Sequence, residues 1–437
     1  MRILKFGGTS VGNPSRMRDV LEILKRSQGA KIVVLSAMAG TTNELVSLSA
    51  ELAASDVDSA SKRIDDLYDQ YQKVVSGLFE ESEWIEQAIE CVDHRFHVLR
   101  AACEISFDAE VEKEILAQGE FLSTDLFQLL AQSASMDAIL VNALEFMRID
   151  DQEEPDYPVM KEIIPSFFDG KMGHDMVITQ GYICRDIHGK INNLQRGGSD
   201  FTATILGALL KVEEIQIWTD IDGVHNNDPR VVDDTRPIRR LSYREAAELA
   251  YFGAKILHPT CVLPAEKAAI PVRLKYTARP DAEGTLIAAE TSKRPVTAIA
   301  AKDGITAIKI YSHRMLLAYG FMRKVFQVFE DYETPIDMIT TSEVAVSLTI
   351  DQTHALDKIL DDLSDFGEVD AQDGFSIICI VGNELYSDPS YIEKVFACLS
   401  EIPVRMISMG GSRYNISILI RTTYKKSALV ALNSLFS

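Results

Sequence analysis

The chain opens on a short apolar-rich run, "RILKF" at residues 2–6, whose length and composition predict a β-strand. Pro14 then suits the first turn of a helix that carries Met17, Val20, Leu21 and Leu24 on one face. Gly29 closes that helix, and "KIVVLSA" predicts a buried strand. From about residue 43 to residue 135, apolar positions recur every three or four residues, which predicts a largely helical region. The strands "AILVNA" and "MVITQGYI" follow, then a helix in "SDFTATILGALL" and a strand in "IQIWTD". "SYREAAELAYFGA" places Ser242 and Glu245 at capping-box spacing, and "IPVRLKY" reads as the last strand of this part. Apolar strands alternating with helices predict an α/β fold, a three-layer αβα sandwich around a mainly parallel sheet.

The pattern changes after about residue 290. "TSKRPVTAIAAKDG" reads as a polar junction containing Pro295. Beyond it the order strand, helix, strand, strand occurs twice, first from "ITAIKIYS" and again from "FSIICIVG", about 70 residues apart. Each copy carries a Val-Phe pair in its helix, Val325-Phe326 and Val395-Phe396. The repeat predicts two small βαββαβ, ferredoxin-like units packed on each other, at about 304–368 and 375–437. They form a C-terminal region, 300–437, after an N-terminal domain at 1–292.

Composition narrows the partners. With 437 residues the chain is too long for one core. Its formal net charge of -21 disfavours nucleic acid and anionic membranes, although a small anion needs only a local positive pocket. No apolar run approaches a membrane span, and the first strand begins too early for a signal peptide. Cys91, Cys103, Cys184, Cys261, Cys379 and Cys398 are scattered without a C-x-x-C pair, so reduced thiols and a cytoplasmic location are expected. His94 and His97 have no third ligand in sight, and no metal site is expected.

Four stretches carry candidate chemistry. In "LKFGGTSVGNPSR", Gly7, Gly8 and Gly12 precede a helix, and Lys5 stands before the glycines. Two readings fit equally: a phosphate cradle over which Lys5 reaches, or an ordinary strand-to-helix turn. In "LQRGGSDFTA", Arg196 suits a carboxylate and Asp200 either caps a helix or meets a substrate amine. "WTDIDGVHNNDPRVV" ends a strand at Thr219-Asp220, where α/β sheets place ligands, and Arg230 and Lys255 add positive charge nearby in sequence. "AQGEFLST" puts Glu120 and Ser123 on a helix, where a solvated face also explains the glutamate. Neither a Ser-His-Asp nor a Cys-His arrangement is suggested. Lysines, arginines, glycines and carboxylates suit phosphoryl transfer, which works by positioning and electrostatics.

The motifs "KFGGTSVG", "VVLSAMAGTTN", "QGE", "RGGSD", "WTDIDGV…DPR" and "FGAKILHP" occur in the order found in aspartate kinases of the amino-acid kinase family. The tail "GFMRKVF…IDMITTSEVAVSLTID…VRMISMGGSRYNISILI" resembles their paired ACT domains, so the likeness spans nearly the whole chain. The resemblance implies ATP-dependent phosphorylation of the L-aspartate side chain to 4-phospho-L-aspartate, the first step toward lysine, threonine and methionine. It implies that Lys5, Gly7, Gly8 and Ser10 contact the transferring phosphoryl group. Ser36, Thr42, Glu120, Arg196, Gly197, Gly198, Ser199 and Asp200 would hold aspartate, with Arg196 on the α-carboxylate and Glu120 and Asp200 on the amino side. Thr219, Asp220, His225, Asp228, Arg230 and Lys255 would hold ATP and its Mg2+.

Two positions depart from the family pattern: His225 replaces a common tyrosine, and Leu317 stands where lysine-sensitive relatives often carry histidine. Met315, Gly320, Phe321, Met322, Asp337, Thr341, Ser342 and Glu343 match the effector pocket of those relatives. Lysine is the expected inhibitor and threonine the second choice, bound between ACT units of a homodimer or homotetramer. The competing readings are another amino-acid kinase and a catalytically silent amino-acid sensor.

Overall fold

In β1 (Arg2–Phe6) the period of two sends Leu4 and Phe6 into one hydrophobic core and turns Lys5 to the opposite face of the sheet. The computed structural model describes residues 1–194, 197–253, 257–289, 295–313, 319–383, 385 and 389–436. These fall into two compact units: Met1–Val224, Arg239–Tyr243 and Ile256–Glu290 make the first, and His225–Ile238, Arg244–Lys255 and Thr291–Ser437 the second.

The sheet of the first unit uses β1, β2 (Lys31–Leu35), β3 (Ala138–Val141), β4 (Met176–Gln180), β7 (Glu214–Thr219), β8 (Arg240–Ser242), β9 (Val272–Tyr276) and β10 (Thr285–Ala288), in the order β3-β4-β2-β1-β7-β9-β10-β8. All neighbours are parallel except β9 and β10. Strands β8 and β10 extend the sheet beyond the strand the sequence pattern marks as last. Both are short, and only pairing with a neighbour makes three or four residues a strand. A two-stranded ribbon, β5 (Ile183–Arg185) and β6 (Ile191–Asn193), follows β4.

On one face lie α1 (Pro14–Arg26), α2 (Thr41–Ala53), α3 (Val57–Leu78), α4 (Ser82–Ala102) and α5 (Ala109–Ser133). Helix α1 starts at Pro14 as its sequence predicts, with the Asn13 side chain accepting from Arg16 N. On the other face α7 (Gly198–Leu210) packs on β1, β2 and β7, flanked by α6 (Tyr157–Phe168) and α9 (Pro259–Ala268). The expected three layers are present.

The second unit holds α8 (Tyr243–Tyr251) from Arg244 onward and an antiparallel sheet ordered β12-β13-β11-β14-β16-β15. Its strands are β11 (Val296–Tyr311), β12 (Met338–Thr341), β13 (Ala345–Ile350), β14 (Glu368–Gly382), β15 (Val404–Met409) and β16 (Asn415–Arg421). Helices α10 (Phe321–Asp331) and α11 (Leu356–Ser364) cover one half, α12 (Pro389–Cys398) and α13 (Lys425–Leu432) the other. Val325 and Val395 are each fully buried in the core of their own half, which explains the repeat.

The stretch read as a polar junction is structured from Val296: residues 296–302 pair with residues 377–382 of β14 and complete the second repeat from upstream of the first. The long strands β11 and β14 therefore run through both repeats. Their register shifts between Lys302 and Ile305, at Gly304, and again between Ile305 and Ala307, opposite Gly374; the two glycines adopt φ of 75° and 76°, a left-handed geometry that glycine tolerates at a bulge. Among the described residues no helix is long and apolar enough to cross a membrane, and all six cysteines are free.

Candidate active site

Parallel pairing brings several strand ends to one rim. Phe6 registers with Leu35 and Trp218, and Leu35 with Gln180, so the segments after β1, β2, β4 and β7 all leave the same edge. This is where open α/β sheets bind ligands.

The loop after β1 is packed tightly on the loop after β2. Ala39 N donates to Gly8 O over 3.1 Å, and a Cβ on Gly8 would lie 2.7 Å from Ala37 O. Gly12 is similarly tight, since a Cβ there would lie 3.0 Å from Ala39 Cβ. The glycines thus have a structural cause in loop-to-loop contact. Gly7 is different: its Cβ position would lie 3.4 Å from Lys5 Nζ, so its backbone sits beside the lysine head group.

Lys5 Nζ lies 2.6 Å from Asp200 Oδ1, with both side chains largely buried. The contact is an ion pair, not an aligned hydrogen bond. Asp200 occupies the first turn of α7, whose N-cap is Gly197 at φ 86°. A Cβ there would lie 2.3 Å from Cys261 Sγ, so this glycine too is needed by the fold itself. Ser36 Oγ donates to Ser199 Oγ over 2.9 Å, tying the β2 loop to the same helix start.

Glu120 comes from α5. Helix and loop meet closely at Gly119, where a Cβ would lie 2.9 Å from Ala37 Cβ. That approach brings Ala37 N to 3.3 Å from Glu120 Oε1. The side chain is not on a solvated helical face: the residue is 4% exposed, and burial pushes its pKa up to about 8. Thr42 is exposed, whereas its neighbour Thr41 is buried and hydrogen-bonds Tyr71 Oη over 2.9 Å.

Ser10 is 3% exposed and its hydroxyl shares a 2.7 Å hydrogen bond with Thr277, which also donates to Thr219 O. Thr219 Oγ1 donates to Asp220 Oδ1 over 3.1 Å. His225, Asp228 and Arg230 belong to the second unit. There Arg230 grips Asp228 through two side-chain hydrogen bonds of 2.9 Å, and His225 Nδ1 shares one of 2.9 Å with Thr235. Arg196, Lys255, Met315 and Leu317 lie outside the described residues.

The remaining effector candidates divide. Phe321 and Met322 pack with the core of the first repeat, Gly320 caps α10 at φ 80°, and Ser342 closes a turn with Ala345. Thr341 and Glu343 are exposed. Asp337 already meets a cation: Lys302 Nζ lies 2.6 Å away and also reaches Asp351 over 2.8 Å, while Tyr251 Oη donates to the same Asp337 oxygen over 3.1 Å. Burial raises the Asp337 pKa, which the Lys302 pairing opposes.

Sequence reasoning passed over Thr277, Lys302 and Tyr182. Tyr182 holds φ 68°, an uncommon backbone for a bulky residue, and its ring packs beside Gly198. The "QGY" directly after a buried strand was the available signal for Tyr182; nothing local marks the other two.

A two-unit chain with a phosphate-loop-like rim on a parallel sheet and a duplicated ferredoxin-like tail defines a class. The amino acid kinase family profile matches residues 1–276 and an ACT-domain profile matches residues 378–436. The chain belongs to the amino acid kinase family, and within it to the aspartokinases. It is 32% identical to lysine-sensitive aspartokinase 3 of Escherichia coli over 96% of this chain and 95% of that one. It is 33% identical to chloroplastic aspartokinase 1 of Arabidopsis thaliana, over 99% of this chain and 80% of that one. The crystal structure of E. coli aspartokinase III in complex with aspartate and ADP superposes with a TM-score of 0.87 at 30% identity, covering 100% of both chains.

Proposed function

We propose that the rim of the first unit transfers the γ-phosphoryl group of ATP to the side-chain carboxylate of L-aspartate, giving 4-phospho-L-aspartate under feedback control by the ACT repeats. The observation that carries this reading is the Lys5–Asp200 pair at the start of α7, beside the backbone of Gly7. A lysine held there neutralises charge on a transferring phosphoryl group, and the α7 N-terminus adds its dipole. The nucleophile is the substrate's own carboxylate, ionised at neutral pH, so the reaction needs no strong general base.

Glu120, Asp200, Ser36, Ser199 and the Gly197-Gly198 backbone hold aspartate in this reading, with Arg196 on its α-carboxylate and Thr42 at the mouth. Gly7, Gly8, Thr219 and Asp220 receive the nucleotide, while Ser10 supports the loop through Thr277. Among the described residues no three His, Cys, Asp or Glu side chains converge as metal ligands, and Mg2+ enters as part of the MgATP substrate. His225, Asp228, Arg230 and Lys255 are further nucleotide candidates on the family resemblance alone. The catalytic region covers residues 1–292 and the regulatory region 300–437, preceded by the strand segment from Val296. The E. coli relative is also known as a complex with lysine and aspartate, at a TM-score of 0.83. Lysine is therefore the first effector to test and threonine the second, acting in a homodimer or homotetramer built through the ACT units.

A coupled ADP-release assay with aspartate, glutamate and N-acetylglutamate, each with and without lysine and threonine, tests the reading. Aspartate-dependent turnover that lysine lowers is expected. Turnover with glutamate alone, or lysine binding without any turnover, overturns it.

A further inference from the structure

Glu120 is a buried carboxyl group at the rim of the first unit. Its Oε1 accepts a long hydrogen bond from Ala37 N at 3.3 Å, and its Oε2 is buried with no partner among the described residues. From α3, Tyr71 faces it, with its hydroxyl hydrogen-bonded to Thr41; from the turn after β4, Tyr182 faces it. Burial raises the pKa of both phenols, that of Tyr182 to about 12. Both are therefore neutral at physiological pH. Among the described residues no Lys, Arg or His forms an ion pair with Glu120, and Lys5 is already paired with Asp200.

An ionised carboxylate there is a buried charge with no counter-ion among the described residues, and burial disfavours that charged form. Protonation is the cheaper state. We propose that Glu120 is a neutral carboxylic acid in the aspartate-free protein, and that the arriving α-ammonium group of aspartate drives its proton off, so that substrate binding and proton release are one event. The inference rests on the reading of this rim as the aspartate site. The balance is simple: the Glu120 O–H bond breaks, its proton passes to solvent, and the carboxylate pairs with the incoming ammonium group. The empty-site carboxyl group thus acts as a positioning residue that carries no uncompensated charge until its partner arrives.

The consequence is a split between binding and turnover. Burial pushes the Glu120 pKa to about 8. Below that pH each aspartate must displace a proton to bind, so 1/KM for aspartate rises about tenfold per pH unit between roughly pH 6 and 8 and then levels. The kcat profile lacks this limb, because the bound complex already holds Glu120 ionised.

The full-length protein, saturated with Mg2+ and a non-hydrolysable ATP analogue, is mixed with aspartate at pH 7 in weak buffer containing an indicator dye. Release of close to one proton per bound aspartate is expected from the wild type, and none from Glu120→Gln, whose amide oxygen still accepts from Ala37. Equal release from both, or none from a wild type that binds and phosphorylates aspartate, overturns the proposal. Should Glu120→Gln fail to fold, the wild-type profile decides: a 1/KM for aspartate that stays flat between pH 6 and 8 also overturns it. A chain that does not phosphorylate aspartate at all removes the underlying reading, a failure that the ADP-release assay separates from the other two.

Discussion

Lys5 Nζ lies 2.6 Å from Asp200 Oδ1, which puts a cation from the first strand and an anion from the first turn of α7 at one point on the sheet rim. Replacing Lys5 by alanine is expected to lower kcat about 100- to 1000-fold, the range for losing one electrostatic stabiliser of a transition state. The stability loss stays below the roughly 3–5 kcal/mol of a fully buried broken pair, because the side chains keep 11% and 17% exposure. The Lys5→Ala, Asp200→Ala double variant should lose little more kcat than the worse single one, since the two act as a unit. Steady-state ADP release and thermal denaturation of the three variants check this.

Gly8 is expected to tolerate no side chain. Its φ is ordinary, so the obstacle in Gly8→Ala is purely the 2.7 Å approach to Ala37 O. Overpacking of this kind costs about 1–3 kcal/mol. Ala37 also supplies the N–H that Glu120 accepts, so KM for aspartate should rise together with the drop in thermal midpoint. A destabilised variant with an unchanged KM would separate the two loops functionally.

The buried carboxyl of Glu120 makes stability depend on pH even without ligand. Its pKa is pushed from 4.5 up to about 8 in the folded protein, so between those values the folded state binds a proton that the unfolded chain does not. Stability from this residue is present below about pH 4.5 and is lost as pH rises toward 8, by at most about 1.4 kcal/mol per unit. The thermal midpoint of Glu120→Gln relative to wild type should therefore climb from pH 5 to 8 and level above it.

In the regulatory unit, Asp337 is shared between Lys302 and Tyr251. A lysine effector that uses this carboxylate must compete with Lys302, whose own pKa is affected first by burial, which lowers it, and then by Asp337 and Asp351, which raise it overall. Asp337→Asn should raise the lysine concentration for half-inhibition at least about tenfold, in line with a charge-assisted hydrogen bond of about 1.5–3 kcal/mol. Inhibition curves normalised to the uninhibited rate read this directly. An unchanged curve would place the effector elsewhere.

Much of the candidate rim was legible as sequence because its parts are local. Gly7 and Gly8 stand next to Lys5, and Asp200 opens a helix whose apolar periodicity is plain. Glu120 misled on local grounds alone: α5 is apolar on most of its surface, and the helix looks solvated at Glu120 only until Gly119 is seen pressed against Ala37. Thr277 and Lys302 carry no local signature, since their roles come from strands and loops distant in the chain.

The amino-acid order by itself determined the alternating strands and helices, the duplicated tail and the family, because periodicity and motif spacing are properties of neighbours along the chain. Only the tertiary structure decided that residues 296–302 complete the second repeat, that Lys5 and Asp200 are partners, and that Glu120 is buried with no counter-ion among the described residues. Each of these depends on which surfaces exclude water together, and burial is a property of the packed chain, not of any segment of it.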